Sequence, residues 1–400
     1  MVTKKAKVFK KTSPNGKLTT YLGKRDYYDH KSWQDHIDGV CFVDPDYIKN
    51  RKVFGLIVVA FRYGREDMDV MGVSFRKDFA VKQMQIYPPL EENKHPLTKL
   101  QVKLLNKLGE DAIPFHFDLP TNTPDTVCIQ PSEYDGGSPC GVDYQITTYV
   151  GQNMDDKIHK RNSVSLSIRK LSYFEHTDEP QPREEITKEF KFTSGAMKLE
   201  CTLDKARYYS GETMNISICV DNPTSKKAKR IKIQVLQLAD ICLYETLTYK
   251  SIVTELETEE GFPIESNTTG FCQVYKLRPF LDMAKRRAGL ALDGRVKYED
   301  TMLAATTELS GNVQKENLGV VISYKVRVKM TLGFGSGDMV LEVPFKLSPA
   351  RLKGNLIKPE AKEGDEDDKE EYDIVMEEFK RIAIKGFENE ISGGLTSAGI

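Results

Sequence analysis

Apolar and polar residues alternate with a period of two through most of this chain, and that period governs what it can fold into. In ISYKVRVKMTL, Ile322, Tyr324, Val326, Val328, Met330 and Leu332 alternate with Ser323, Lys325, Arg327, Lys329 and Thr331. Successive side chains of a strand point to opposite faces, so such a run has one face for a core and one for water. RIKIQV repeats the pattern with Ile231, Ile233 and Val235. SVSLSIR sets Val164, Leu166 and Ile168 against Ser163, Ser165, Ser167 and Arg169. Turn signals such as Pro14-Asn15-Gly16 and Asp135-Gly136-Gly137 separate these runs, without a strand–helix–strand rhythm. The expected class is therefore all-β, with two antiparallel β-sandwich domains.

One segment breaks the period. In HPLTKLQVKLLNKLGE, Leu97, Leu100, Leu104 and Leu108 form a stripe at helical spacing, with Pro96 at the start and Gly109 as a stop. Lys99, Lys103 and Lys107 follow another face, so one short amphipathic helix is expected. The longest apolar run, VFGLIVVAF at 53–61, is too short to span a bilayer and reads as a buried strand. EHTDEPQPRE at 175–184 has two prolines and no apolar residue, as a linker would. The expected division is 1–174 and 185–350 for the sandwiches, with the linker between them and a charged tail over 351–400. The tail contains one amphipathic island, DIVMEEF.

Charge is segregated rather than in excess. Residues 1–25 carry eight Lys/Arg and no acid, whereas 360–378 carry eleven Asp/Glu against two Lys, in a chain of net charge −1. Two such ends attract each other, and an arriving polyanion competes for the basic one. Near-neutrality, and basic residues not interleaved with aromatics, argue against nucleic-acid binding. The basic N-terminus has no apolar run after it, so no secretory signal is expected. Seven dispersed cysteines without a C-x-x-C pair read as reduced cytosolic thiols. The six histidines show no ligand spacing, and no metal or cofactor is expected. Nucleophile-elbow, P-loop and zinc-protease motifs are absent, and Gly-rich GFGSG at 333–337 lies within a β region without a following helix.

Several blocks, taken in order, resemble the arrestins, which bind phosphorylated, activated G-protein-coupled receptors. They are VFKKTSPNGKLTTYLGKRD, FRYGREDMDVMGVSFRKD, PLTKLQVKLLNKLGE, CGVDYQI, IHKRNSVSLSIRK, ADICLY, GLALDGRVKYEDTMLA and LGVVISYKVRVK. The resemblance implies that Lys10 and Lys11 meet receptor phosphates, with Lys7, Arg25, Lys107 and Lys297 as further contacts. Taken alone, the lysine pair reads as ordinary charge on an edge strand. The resemblance also implies a polar core of Asp26, Arg169, Asp293, Asp300 and Arg381 between two domains and the tail. By strand parity alone Arg169 would face solvent, and Asp293-Gly294 would be a turn. An apolar clasp for the tail is implied as well: Ile374, Val375, Met376 and Phe379 near Leu100, Leu104, Leu108, Val8 and Phe9. The loop GREDMDVMG corresponds to a receptor-probing finger loop, with Asp67, Met68, Asp69, Val70, Met71 and Gly72 entering the cavity of an active receptor. Methionine suits such irregular apolar pockets.

The tail departs from the pattern of non-visual members. LIKPE at 356–360 has Lys358 and Pro359 where a clathrin box needs an acid and a leucine. The adaptor motif retains Phe379 but has Met376 and Ala383 in place of a phenylalanine and an arginine. Both endocytic contacts are thereby disfavoured. An inositol-phosphate patch keeps Lys232 and Lys250 but has Leu236 where a base belongs. These departures imply a visual, rhodopsin-serving member of invertebrate type, cytoplasmic and recruited to photoreceptor membrane, with peripheral contact to anionic lipid a further expectation. Two rivals remain at this point: a non-visual desensitising and trafficking scaffold, and an arrestin-fold cargo-sorting protein.

Overall fold

A computed structural model of the chain describes residues 5–30, 33–64, 75–120, 122–130, 140–174, 179–191, 193–242, 246–282, 288–294, 301–308, 318–333, 336–349 and 373–380. The chain divides into two compact units. One comprises Met1–Cys128, Ser138–Tyr173 and Lys353–Ile400, and the other Ile129–Gly137 and Phe174–Leu352. Both are β-sandwiches, as the alternation requires.

In the first unit one sheet has the order β21 (Asp373–Glu378), β1 (Lys5–Thr12), β2 (Leu18–Leu22), β4 (His36–Val43), β7 (Ala112–Asp118). The facing layer runs β3 (Asp26–His30), β10 (Ser163–Tyr173), β9 (Cys140–Gly151), β5 (Lys52–Tyr63), β6 (Phe75–Tyr87). The layers meet through side chains such as the Thr20 and Thr148 hydroxyls, 2.6 Å apart. The run at 53–61 is the buried interior of β5, as read from the sequence.

The second unit has one sheet of β11 (Arg183–Glu189), β12 (Ala196–Leu203), β14 (Met214–Asn222) and β17 (Thr268–Leu277). Its other sheet runs β13 (Arg207–Tyr209), β20 (Met339–Ser348), β19 (Val320–Leu332), β15 (Ala228–Cys242), β16 (Thr246–Thr258). From Ile322 onward β19 alternates buried and half-buried without a break. Short strands β8 (Val127–Ile129) and β18 (Ala291–Leu292) complete the described set. No helix among the described residues is long and apolar enough to cross a membrane.

The expected helix is α2 (Lys99–Leu108), and a single turn, α1 (Pro45–Ile48), precedes it behind an Asp44 cap. Thr98 caps α2 and closes a capping box with Gln101, so the helix starts after Leu97 rather than at Pro96. Leu97 accordingly leaves the apolar stripe and is 45 % exposed. Gly109 ends the helix at φ 86°, a conformation glycine adopts without Cβ strain. Gln101 is buried and donates to the Gly39 and Phe115 carbonyls, fixing the helix across β4 and β7.

Three local expectations change. Strand β11 begins at Arg183, inside the segment read as linker, because its backbone pairs with β12 and Arg183 meets Glu200 at 2.7 Å. The polar face of β10 is not a solvent face: Ser163, Ser167 and Arg169 are buried, and so is Lys170 on the other face. Cys219 and Cys272 form a disulfide, since the antiparallel register of β14 and β17 sets them directly opposite each other. Five cysteines remain thiols, and burial pushes those of Cys41 and Cys201 up to about 12, far from reactive thiolates.

The burial of β10 brings in a charge that alternation does not reveal. Lys170 lies 2.9 Å from Asp29 and 3.9 Å from Asp125, and it donates to the Thr123 carbonyl at 2.6 Å. Burial raises the Asp125 carboxyl above its usual range, which Lys170 and Ser172 partly offset. Removing the cation leaves two acids without a counter-charge. Lys170→Met is expected to lower stability by about 3 kcal/mol in urea denaturation, the low end for broken buried pairs. The low end applies because the two acids keep 27 % and 25 % of their side-chain surface in water.

Candidate functional site

The outer edge of β1 would be an open row of backbone donors and acceptors, and such edges need cover. The cover comes from the far end of the same chain. Strand β21 pairs in parallel with β1, Ala6 opposite Ile374, Val8 opposite Met376 and Lys10 opposite Glu378. The Phe379 amide then donates to the Lys10 carbonyl at 2.7 Å. The amphipathic island of the tail is therefore a strand, with Ile374 and Met376 on one face.

That face meets α2. Val8, Tyr21, Val40, Leu104 and Ala112 form a buried cluster, and Leu100, Leu105, Leu108, Ile374 and Met376 pack against it. Gly23 makes room, because a Cβ there would sit 2.3 Å from a Leu100 methyl. Phe379 is buried, edge-on to Phe9 at 6.4 Å, and the Arg25 guanidinium lies over the other ring, Phe9, at 4.5 Å. The clasp residues named from the sequence gather in two groups, Val8, Leu100, Leu104, Leu108, Ile374 and Met376 on the α2 side of β1 and Phe9 with Phe379 on the other, the side Val375 also takes by alternation.

Charges line the same seam. Lys7 Nζ is 2.8 Å from Glu377 and Lys10 Nζ is 3.4 Å from Glu378. Lys11 donates to the Ser165 carbonyl of β10 at 2.6 Å, and Lys107 reaches the Ile374 carbonyl at 3.5 Å. The Lys7 ammonium, aided by Arg25 and Lys380, holds the Glu377 carboxyl below its ordinary range. The basic residues read as phosphate contacts are here covered in part by tail carboxylates. Glu377 and Glu378 themselves escaped the sequence reading, because nothing in a run of eleven acids marks which two are paired. The parity of DIVMEEF is the one available signal.

In the facing layer, next to Arg25, whose carbonyl accepts the Arg169 amide at 2.9 Å, Arg169 and Asp26 stand in register in the parallel pair β10–β3. Arg169 Nε donates to Asp26 Oδ1 at 2.7 Å, and the arginine is 7 % exposed, not the solvent-facing residue that parity suggests. In the second unit Asp293 is buried and accepts the Met302 amide at 2.8 Å. Asp300, Arg381 and Lys297, and the loop residues Asp67, Met68, Asp69, Val70, Met71 and Gly72, lie outside the described residues.

A two-sandwich chain whose own tail strand lies on a lysine-bearing edge strand belongs to a known class. Residues 18–173 match the arrestin (or S-antigen) N-terminal domain and residues 193–350 the C-terminal domain. The chain belongs to the arrestin family. It is similar to the crystal structure of squid arrestin, with 68 % identity and a TM-score of 0.66, covering 87 % of this chain and all of that one. Among curated relatives, arrestin red cell isoform 2 of Oncorhynchus mykiss is 43 % identical over 403 residues, 96 % of this chain and 98 % of the relative. Human beta-arrestin-2 is also 43 % identical, over 399 residues, with 96 % and 97 % covered.

The lowered Glu377 carboxyl fixes a pH dependence. A group whose folded pKa lies below its free value, 4.5 for glutamate, stabilises the docked tail fully above that value and stops doing so as pH falls through the lower folded one. Amides of 373–378 should therefore exchange faster, relative to those of β2, as pH is taken below about 4.5. Exchange rates are compared after correction for intrinsic pH dependence. In Glu377→Gln this additional loss of protection should shrink, and an unchanged loss would separate it from the Lys7 pair.

Proposed function

We propose that this arrestin is a non-catalytic, cytoplasmic binding protein that recognises phosphorylated, light-activated rhodopsin and blocks its coupling to G protein. The observation that carries the proposal is the pairing of β21 with β1, which sets Glu377 and Glu378 against Lys7 and Lys10. A receptor phosphate carries roughly −1.5 to −2 charge and three acceptor oxygens, more than the single carboxylate each lysine meets. Such an anion competes for the lysines and loosens the strand that the carboxylates help to hold. Both pairs are exposed to water and screened by it, so the seam is weak enough to be exchanged.

In this reading the charges Asp26, Arg169, Asp293, Asp300 and Arg381 act as a second latch, which a phosphate engaging Arg169 unbalances. Removal of Arg381 with the tail leaves the carboxylates facing one guanidinium. Breaking a buried pair in this way costs about 3–5 kcal/mol, on the scale needed to shift a two-state equilibrium. Finger-loop residues Asp67 to Gly72 then enter the receptor. The visual assignment rests on the likeness to squid arrestin and on a tail without a clathrin box or a complete adaptor motif. The likeness to beta-arrestin-2 supports the second reading, a non-visual desensitising and trafficking scaffold.

Binding to light-activated rhodopsin, phosphorylated and unphosphorylated, tests both layers. The full chain should prefer the phosphorylated receptor, whereas a truncation ending at Glu371 and the variant Arg381→Glu should bind both forms nearly equally. Selectivity equal to wild type in Arg381→Glu would remove Arg381 from the latch. Absence of binding to rhodopsin in any form, with binding to a phosphorylated non-visual receptor, would establish the second reading.

A further inference from the structure

Two His-x-Asp pairs, His36-Ile37-Asp38 and His116-Phe117-Asp118, lie on neighbouring antiparallel strands. The register sets His36 opposite Asp118 and Asp38 opposite His116. With a period of two, Ile37, Phe115 and Phe117 turn into the core, and all four polar side chains share the outer face. Helix α2 covers the Val40 and Ala112 end of that face through its Leu104 cluster, and the His/Asp quartet occupies the other end.

The atoms converge. His36 Nδ1 is 3.2 Å and His116 Nε2 is 3.3 Å from Asp118 Oδ1, and the three ligand atoms lie within 4.8 Å of one another. A tetrahedral zinc ion with nitrogen and oxygen ligands at about 2.0–2.2 Å needs ligand atoms about 3.3–3.5 Å apart. The two measured edges are close to that spacing. The other nitrogen of His116, Nδ1, is 2.7 Å from Asp38 Oδ1. A carboxylate on the remote nitrogen is the arrangement that orients a metal-ligating histidine and raises its basicity. His95 stacks on the His116 ring at 4.0 Å and limits its rotation. Three of the six histidines of the chain meet here.

We propose that His36, His116 and Asp118 form a surface site for a divalent transition metal of the zinc class, with Asp38 as the residue that positions His116. The donor set of two imidazoles and one carboxylate suits zinc, and a fourth position is left for water. The ion would clip β4 to β7, the strand at the edge of its sheet. Neither the tail seam nor the Arg169–Asp26 pair contributes a ligand, so the site is independent of the receptor reading.

The test is calorimetric titration of the full chain with zinc chloride, alongside His36→Gln, His116→Gln, Asp118→Asn and Asp38→Asn, each checked for native folding by circular dichroism and thermal melting. Wild type should show one equivalent of zinc that each ligand substitution weakens by at least tenfold, and Asp38→Asn by about 10–100-fold. Cobalt chloride as a spectroscopic probe should give four-coordinate visible bands without thiolate charge transfer. The proposal fails if wild type and the folded ligand variants bind zinc alike, if wild type binds none, or if cobalt reports cysteine ligation. Should one variant fail to fold, the remaining substitutions and the cobalt spectrum still decide the matter.

Discussion

The parallel contact between β21 and β1 joins the two ends of the chain, and the basic site takes its form from it. Without it, β1 would present unpaired backbone groups along the edge of the sandwich, and Leu100 and Leu108 of α2 would lose their cover. With it, Lys7 and Lys10 are held in a row against carboxylates, and Arg25 is drawn over the Phe9 ring. A strand supplied by a tail can leave without dismantling the sandwich behind it, because β1 remains paired with β2 on its other side. Permanence and exchange are thus divided between the two edges of a single strand.

The forces in that contact differ in size and in what they respond to. A nearly fully buried aromatic such as Phe379 contributes about 1.5–3 kcal/mol, and half-buried Ile374 and Met376 contribute less each. The exposed ion pairs contribute less than these contacts and weaken with salt. Apolar contacts therefore hold the tail, while the charges determine what can replace it. A ligand that satisfies Lys7 and Lys10 better than Glu377 and Glu378 removes only the electrostatic part. Full displacement also requires the apolar part to be met elsewhere, since inverting a 99:1 population takes about 5.5 kcal/mol.

Much of this architecture was legible from residue order. Alternation located β15 and β19, the apolar run located β5, and the leucine spacing with Gly109 located α2. What escaped was information carried by register between strands distant in sequence. Cys219 and Cys272 are opposed only because β14 pairs with β17, and His36 meets Asp118 only because β4 pairs with β7. No spacing along the chain encodes either. Arg169 was misleading for a related reason: parity says which face a side chain takes, not whether that face is covered. The clasp residues were named through a family resemblance, and the carboxylates opposite the lysines remained hidden in an acidic run.

The sheet containing β1 has two edges, and they are managed by different means. Strand β21 carries Asp373, Glu377 and Glu378, and β7 carries His116 and Asp118, so each outer strand bears charge that discourages a foreign strand from adding to it. At β21, Glu377 and Glu378 pair inward, toward β1, and their partners are long lysines with exposed heads. At β7 they pair across to β4 through short side chains, with His116 largely buried. Long, exposed pairs retain rotamer freedom and release readily, whereas short pairs fixed by register hold their atoms at constant spacing. The first kind suits an edge that must open to a competing anion. The second suits an edge that stays closed and presents a preorganised set of donor atoms.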